Sequence, residues 1–328
     1  GAMRKILAAV AVLLLGLTAC GTSAADRAAQ SAASAAAAGS TEVRSCAETL
    51  HFDKAPERVV VLSGTSVPIL DALRVLDRVV ARAGEKNFGP ETELQKKFDA
   101  IKTLDSHEMA TGGAVVSTEA VLSVQADLVI GFETGVDRSQ LAEAGIPLYS
   151  PDAFCPDYAV TKADWSLVDA EIEKIAAIFG VTDRVPSVLT DLHRQISDIE
   201  AANGTATASA AALYVTPGST AFYTYGTSSM VQPIFEANGL KNAYDDETTR
   251  VFEVSMEDLL KRNPDWIVLL AADATDQEVL GTFTGFSGAT DLKAVVAGHV
   301  VVLPFALTDP PSPLSVRGAA ELAKRLGR

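Results

Sequence analysis

The sequence predicts an α/β protein built as two related lobes joined by a single long helix. Three observations point there. One pattern occurs twice: Val116-Ser117-Thr118-Glu119-Ala120-Val121-Leu122, followed four residues on by Asp127-Leu128-Val129-Ile130, is echoed by Val254-Ser255-Met256-Glu257-Asp258-Leu259-Leu260 and, at the same spacing, Asp265-Trp266-Ile267-Val268. Each copy reads as a Ser cap, a short amphipathic helix and a buried strand opened by Asp. Short apolar runs alternate with helical periodicity on either side. Between the copies, Asp183 to Asn203 places Val185, Val188, Leu189, Leu192, Ile196 and Ile199 on one helical face, with Pro186 tolerated in the first turn and Gly204 as a stop.

Taken from the beginning, Arg4 and Lys5 precede an apolar run, Ile6 to Leu17, that ends in Leu17-Thr18-Ala19-Cys20. Such a run is a secretion signal over residues 1–20, too short to persist as a membrane-spanning helix. Its last four residues resemble the lipobox of bacterial lipoproteins, which implies cleavage before Cys20 and lipid on its thiol. Residues 21–45, dominated by Ala and Ser, offer little to bury and are expected to be a flexible tether with a reach of roughly 25 to 30 Å. Its Ala-rich part could also fray in and out of helix.

The composition is globular, with 48% hydrophobic residues over the whole sequence. A net charge of -15 argues against nucleic acid, whose phosphates need clustered Lys and Arg, and an anionic ligand would require a local basic exception. Of three cysteines, lipid on Cys20 leaves Cys46 and Cys155 as an even pair. An oxidising compartment favours a disulfide between them, two free thiols being the alternative.

In the first lobe, residues 46–181, Arg58 to Leu62 and Arg78 to Ala81 read as strands around a helical stretch from Ser66 to Leu76. Residues 182–204 form the connecting helix. The second lobe, residues 205–328, has strands at Ala211 to Val215, Trp266 to Leu270 and Val300 to Leu303, and a last helix from about Ser315 to Leu326.

The lipobox, the first strand, the repeated Ser-x-Glu units and the single connecting helix together resemble the helical-backbone class (class III) of ABC importer substrate-binding lipoproteins. That class serves importers of ferric siderophores, heme, cobalamin and some metals. The resemblance implies two Rossmann-like α/β lobes with a ligand cleft between them. It also implies that Glu119 and Glu257, one in each lobe, dock by salt bridges onto Arg residues of the permease. Each carboxylate would also gain from its place near a helix N-terminus, independently of docking.

Ligand loops in open α/β sheets follow the carboxyl ends of strands. They place Ser63, Thr65, Lys86, Asn87, Phe132 and Glu133 in the first lobe and Phe222, Tyr223, Tyr225, Arg250 and Phe305 in the second as candidate ligand-binding residues. Phe222 to Gly226 reads as a polar loop whose rings stack on a planar ligand, although the alternating Phe and Tyr also fit a strand packed on a core. Arg250 is a candidate counter-charge for an anionic chelate, or a solvated surface residue.

Other chemistries find less support. His107-Glu108 begins like a zincin motif, but Thr111 stands where the second His belongs, and there is no G-x-S-x-G elbow, P-loop or G-x-G-x-x-G. Neither a catalytic residue nor a metal site nor a resident cofactor is expected, and the chain is not expected to be an enzyme. The expected function is capture of an iron-siderophore complex for an ABC permease and its ATPase. The protein would be a monomer, lipid-anchored on the extracellular face of the cell membrane or in the periplasm. Heme or cobalamin is the alternative cargo, heme calling on Tyr225 opposite His107. A surface adhesion or signalling module is the alternative of another class.

Overall fold

The computed structural model describes residues 40–84, 93–108, 114–205 and 207–328; the segment expected as a secretion signal, most of the expected tether, Cys20, Lys86 and Asn87 lie outside that set. The first lobe opens with an antiparallel hairpin, β1 (Thr41–Ser45) and β2 (Glu48–Phe52), turned at Cys46 with φ 55°. Thr41 to Ser45, expected as the end of a flexible tether, are therefore a strand. Val43 and Ser45 are buried, and the Ser45 hydroxyl accepts hydrogen bonds from Ser150 N at 2.8 Å and Arg138 Nη2 at 3.1 Å. Five residues of alternation are too few to stand out from the Ala/Ser run before them, yet they suffice for a strand once the lobe supplies partners. Cys46 and Cys155 form the disulfide, with their Cα atoms 5.1 Å apart.

Next come β3 (Val59–Val61), β4 (Val79–Arg82), β5 (Lys102–Thr103), a small antiparallel pair of β6 (His107–Glu108) and β7 (Ala114–Val115), then β8 (Leu128–Ile130) and β9 (Leu148–Tyr149). A parallel sheet has the order β5-β4-β3-β8-β9. Its central strands are buried on both faces, which is why they read as unbroken Val, Leu and Ile. Side chains alternate between two cores: Val59, Val61, Leu128 and Ile130 face inward, whereas Val60, Ala81 and Val129 face an outer cluster with Leu141. Helices α1 (Val67–Ala72), α2 (Glu93–Asp99), α3 (Thr118–Ser123), α4 (Arg138–Glu143) and α5 (Ser166–Ile178) complete the lobe.

The connecting helix is α6 (Val185–Asn203), with Pro186 in its first turn. Its 19 residues extend roughly 28 Å. Val185, Leu192 and Ile196 enter the inner core, which is continuous from Val59 and Ile172 of the first lobe to Val268 and Leu303 of the second. One face of the helix thus packs against both lobes, and the helix acts as a stiff spine.

The second lobe contains β10 (Ala208–Val215), β11 (Phe222–Tyr225), α7 (Val231–Ala237), β12 (Leu240–Asn242), β13 (Val251–Val254), α8 (Met256–Arg262), β14 (Trp266–Ala271), α9 (Asp276–Thr284), α10 (Lys293–Val296), β15 (Val300–Pro304) and α11 (Pro313–Arg325). Its sheet runs β13-β11-β10-β14-β15, with β12 also on β10 and β11 antiparallel to both neighbours. The segment expected as a polar loop from Phe222 is this antiparallel strand. Phe222 sits between Val215 and Val254, and Tyr223 opposite Tyr214, pairs that suit a pleated surface better than a loop.

The repeat holds in detail. Ser117 and Ser255 each cap their helix by accepting a backbone N–H three residues on, at 3.1 Å in both copies. The Asp that opens each strand latches the start of a neighbouring one. Asp127 accepts from Glu57 N and Arg58 N at 2.8 Å, and Asp265 from Ser209 N at 2.8 Å. That backbone hydrogen bond, with Lys293 beside it, lowers the Asp265 pKa.

Candidate functional site

Side chains from both lobes meet at one cluster. In the first lobe, the turns that follow β8 and β9 carry Phe132 and Phe154, whose rings meet edge to face with centroids 3.9 Å apart. From the second lobe, the residue just before β13 reaches across: the Arg250 guanidinium lies 4.7 Å above the Phe154 ring. Its Nη1 is 2.5 Å from Asp309 Oδ2, on the loop that follows β15. Asp309 is 1% exposed and its Oδ1 accepts a hydrogen bond from Met230 N at 2.8 Å. The arginine is therefore stacked on one side and paired on another, with its side chain only 14% exposed.

Around this cluster the segment after Cys155 crosses to the second lobe. The Tyr158 hydroxyl donates to Ser228 O at 2.9 Å, Ala163 N to Thr227 O at 2.7 Å, and the Thr227 hydroxyl lies 2.5 Å from Thr161 O. Burial and the Asp309 charge push the Tyr158 hydroxyl well above the usual tyrosine range, Arg250 opposing them and Asp152 and Glu171 adding to them. Behind Phe154, the backbone N–H of Asp152 donates to Glu171 Oε1 at 3.2 Å, and Lys174 pairs with Asp152 at 2.7 Å.

Of the residues singled out in the sequence, Phe132 and Arg250 come together here through Phe154, with Phe132 itself 2% exposed and so backing the Phe154 ring. Others do not. Phe222 is buried in the outer core, stacked on Phe286 with centroids 5.4 Å apart, and is not a ligand wall. Phe305, 1% exposed, packs edge to face on Tyr214. Tyr225 is likewise 1% exposed in the inner core, so it is not displayed to His107, which is exposed on β6. Tyr223 is half-buried against the same core. Glu133 is committed to Arg138 at 2.8 Å, and Arg138 is itself fixed to Leu148 O and Ser45, so this carboxylate serves the lobe's structure. Ser63 and Thr65 are buried in the turn after β3, their hydroxyls 2.8 Å apart. Arg250 differs from its expected role in one respect: its charge is already matched by Asp309. Phe154 and Tyr158 were not singled out, and Asp309 entered only as the end of the Phe305 to Asp309 ligand loop. Two aromatics flanking Cys155 in a Pro-containing segment were the available signal for the first pair.

Glu119 and Glu257 occupy the second position of α3 and α8. Both are exposed, and among the described residues neither is in an ion pair. Also among the described residues, no helix is long and apolar enough to cross a membrane, and no group of three or more His, Cys, Asp and Glu could hold a metal ion.

Two α/β lobes packed on one face of a connecting helix, with a ring-and-charge cluster at their junction, form the architecture of a two-lobed solute-binding protein. The chain belongs to the periplasmic binding protein family, which matches residues 59–307. A solved structure from the ABC-type Fe3+-hydroxamate transport system of Saccharomonospora viridis is 33% identical, covers 88% of this chain and 99% of that one, and superposes with a TM-score of 0.80. The periplasmic heme-binding protein of a Roseiflexus species shares the fold at 19% identity, over 82% of this chain and 97% of that one, with a TM-score of 0.63. A vitamin B12-binding protein of Pectobacterium atrosepticum is 21% identical over 220 residues, 65% of this chain and 71% of the relative.

Proposed function

We propose that this protein captures an iron-siderophore complex outside the cell membrane and delivers it to an ABC permease. The observation that carries this reading is the junction cluster of half-buried Phe154, Tyr158 and the paired Arg250, with the buried Phe132 ring packed behind Phe154. A ferric chelate has its coordination sphere filled, so it asks for aromatic walls and hydrogen bonds and not for ligands to iron. The 33% identity to the hydroxamate-transport protein supports the same cargo class. Cobalamin is the second reading, favoured by the Pectobacterium relative at lower identity. Heme is the weaker alternative, because burial of Tyr225 removes the axial partner it would use.

Delivery uses Glu119 and Glu257, whose exposed carboxylates at matched places in the two lobes suit a two-fold partner bearing Arg. Lipid on Cys20 holds the monomer at the membrane by two acyl chains, enough for stable anchoring. The test is uptake of radioactive iron by cells that depend on this chain, combined with fractionation of wild type and Cys20→Ala. Iron supplied as a trihydroxamate complex should enter only when the chain is present, and Cys20→Ala should leave the membrane fraction. Uptake that does not depend on the chain would end the reading.

A further inference from the structure

The pairing of Arg250 bears on which chelates the site accepts. An unpaired guanidinium at the lobe junction would attract an anionic complex, but this one is 2.5 Å from a carboxylate that is 1% exposed. Asp309 cannot turn away to solvent, and Met230 N holds its other oxygen. The neighbouring cations are spoken for as well: Lys174 pairs with Asp152 at 2.7 Å and Arg138 with Glu133 at 2.8 Å. Burial first, and the Asp309 charge second, raise the Tyr158 pKa, with Arg250 opposing them and Asp152 and Glu171 adding smaller contributions.

We propose that the site selects ferric chelates of neutral or positive net charge and disfavours anionic ones, because the Arg250–Asp309 pair cancels the cation of the ring cluster, and Lys162, the other cation described where the lobes meet, is paired with Glu236 at 3.1 Å. This rests on the siderophore reading and narrows it to complexes such as trihydroxamates, whose three monoanionic groups neutralise Fe3+. Catecholate and carboxylate complexes, which keep net negative charge, would bring their charge toward an already compensated guanidinium and the fixed carboxylate behind it. Selection works by repulsion as much as by attraction.

The experiment holds the chelate constant and changes only its charge. Desferrioxamine B carries a terminal amine, so its ferric complex is cationic; acetylation of that amine makes it neutral, and succinylation makes it anionic. Titrated into the purified protein, the cationic and neutral complexes should bind within a few-fold of each other and the anionic one roughly tenfold or more weakly. Raising the salt concentration should narrow the gap. Asp309→Asn, which keeps an oxygen for Met230 N while unpairing Arg250, should bring the anionic complex level with or ahead of the cationic one. Equal or tighter binding of the anionic complex by the wild type overturns the charge preference and leaves the siderophore reading standing. Binding of none of the three overturns the siderophore reading, and the preference with it. The wild-type order and its salt dependence decide the matter even if Asp309→Asn does not fold.

Discussion

Tyr158 of the first lobe donates its hydroxyl hydrogen to the carbonyl of Ser228 in the second, 2.9 Å away and beside the Arg250–Asp309 pair. The two lobes are therefore joined by the α6 spine and by a direct clasp beside the candidate site. Tyr158→Phe removes the hydrogen bond and keeps the ring. Loss of about 1 kcal/mol of stability is expected, with a few-fold weaker ligand binding as the clasp loosens. Denaturant unfolding and ligand titration of the variant check both; unchanged values in the two would show the clasp to be idle.

Phe154 supports Arg250 from below and Phe132 from the side. Phe154→Ala should therefore weaken chelate binding by roughly tenfold, through lost ring contact and a less fixed guanidinium, since such a cation–π contact is worth about 1 kcal/mol by itself. Phe222→Leu, in the outer core, should leave affinity within two-fold, roughly 0.4 kcal/mol, while costing some stability. The reverse ranking in a titration would move the ligand wall to β11.

The disulfide closes a loop between residues 109 apart and adjoins Phe154. Cys46→Ala with Cys155→Ala should cost about 4 to 5 kcal/mol by the chain-entropy argument, and free the β1–β2 hairpin from the turn after β9. Thermal unfolding with and without reductant measures it. A melting temperature that does not move would mean that the hairpin contacts of Ser45 already hold this region.

Glu171 is 4% exposed, with the Tyr149 hydroxyl donating to it at 2.5 Å. Burial first, and the Asp152 charge second, raise its carboxyl from the ordinary 4.5 to about 7. The folded state thus binds this proton more tightly than the unfolded chain. The sign follows: the stability tied to this proton is full below about 4.5 and is lost as pH rises through about 7. Glu171→Gln should flatten that part of the profile. Denaturant unfolding between pH 4.5 and 8.5 reads the slope, and parallel curves for the two proteins would contradict the assignment.

Much of the fold was legible because its signals are local. The doubled Ser-x-Glu pattern contains its own caps and latches, Ser117 with Asp127 and Ser255 with Asp265, and α6 shows its buried stripe directly. The site was less legible. Arg250 and Asp309 are 59 residues apart, and nothing in either neighbourhood announces the partner. Phe222 looked exposed because polar residues surround it, yet a strand sends alternate side chains to opposite faces and this one faces Phe283 and Phe286. Thr41 to Ser45 was hidden by the composition of the run before it.

The central claim is that the lobe junction binds a ferric siderophore. Titration of the purified protein with a ferric trihydroxamate, cobalamin and hemin, followed by quenching of its intrinsic fluorescence, tests it most directly. Submicromolar binding of the trihydroxamate, at least tenfold tighter than the other two and weakened by Phe154→Ala, is the expected result. Saturable binding of cobalamin or hemin below micromolar, with no response to the ferric complex, would contradict it.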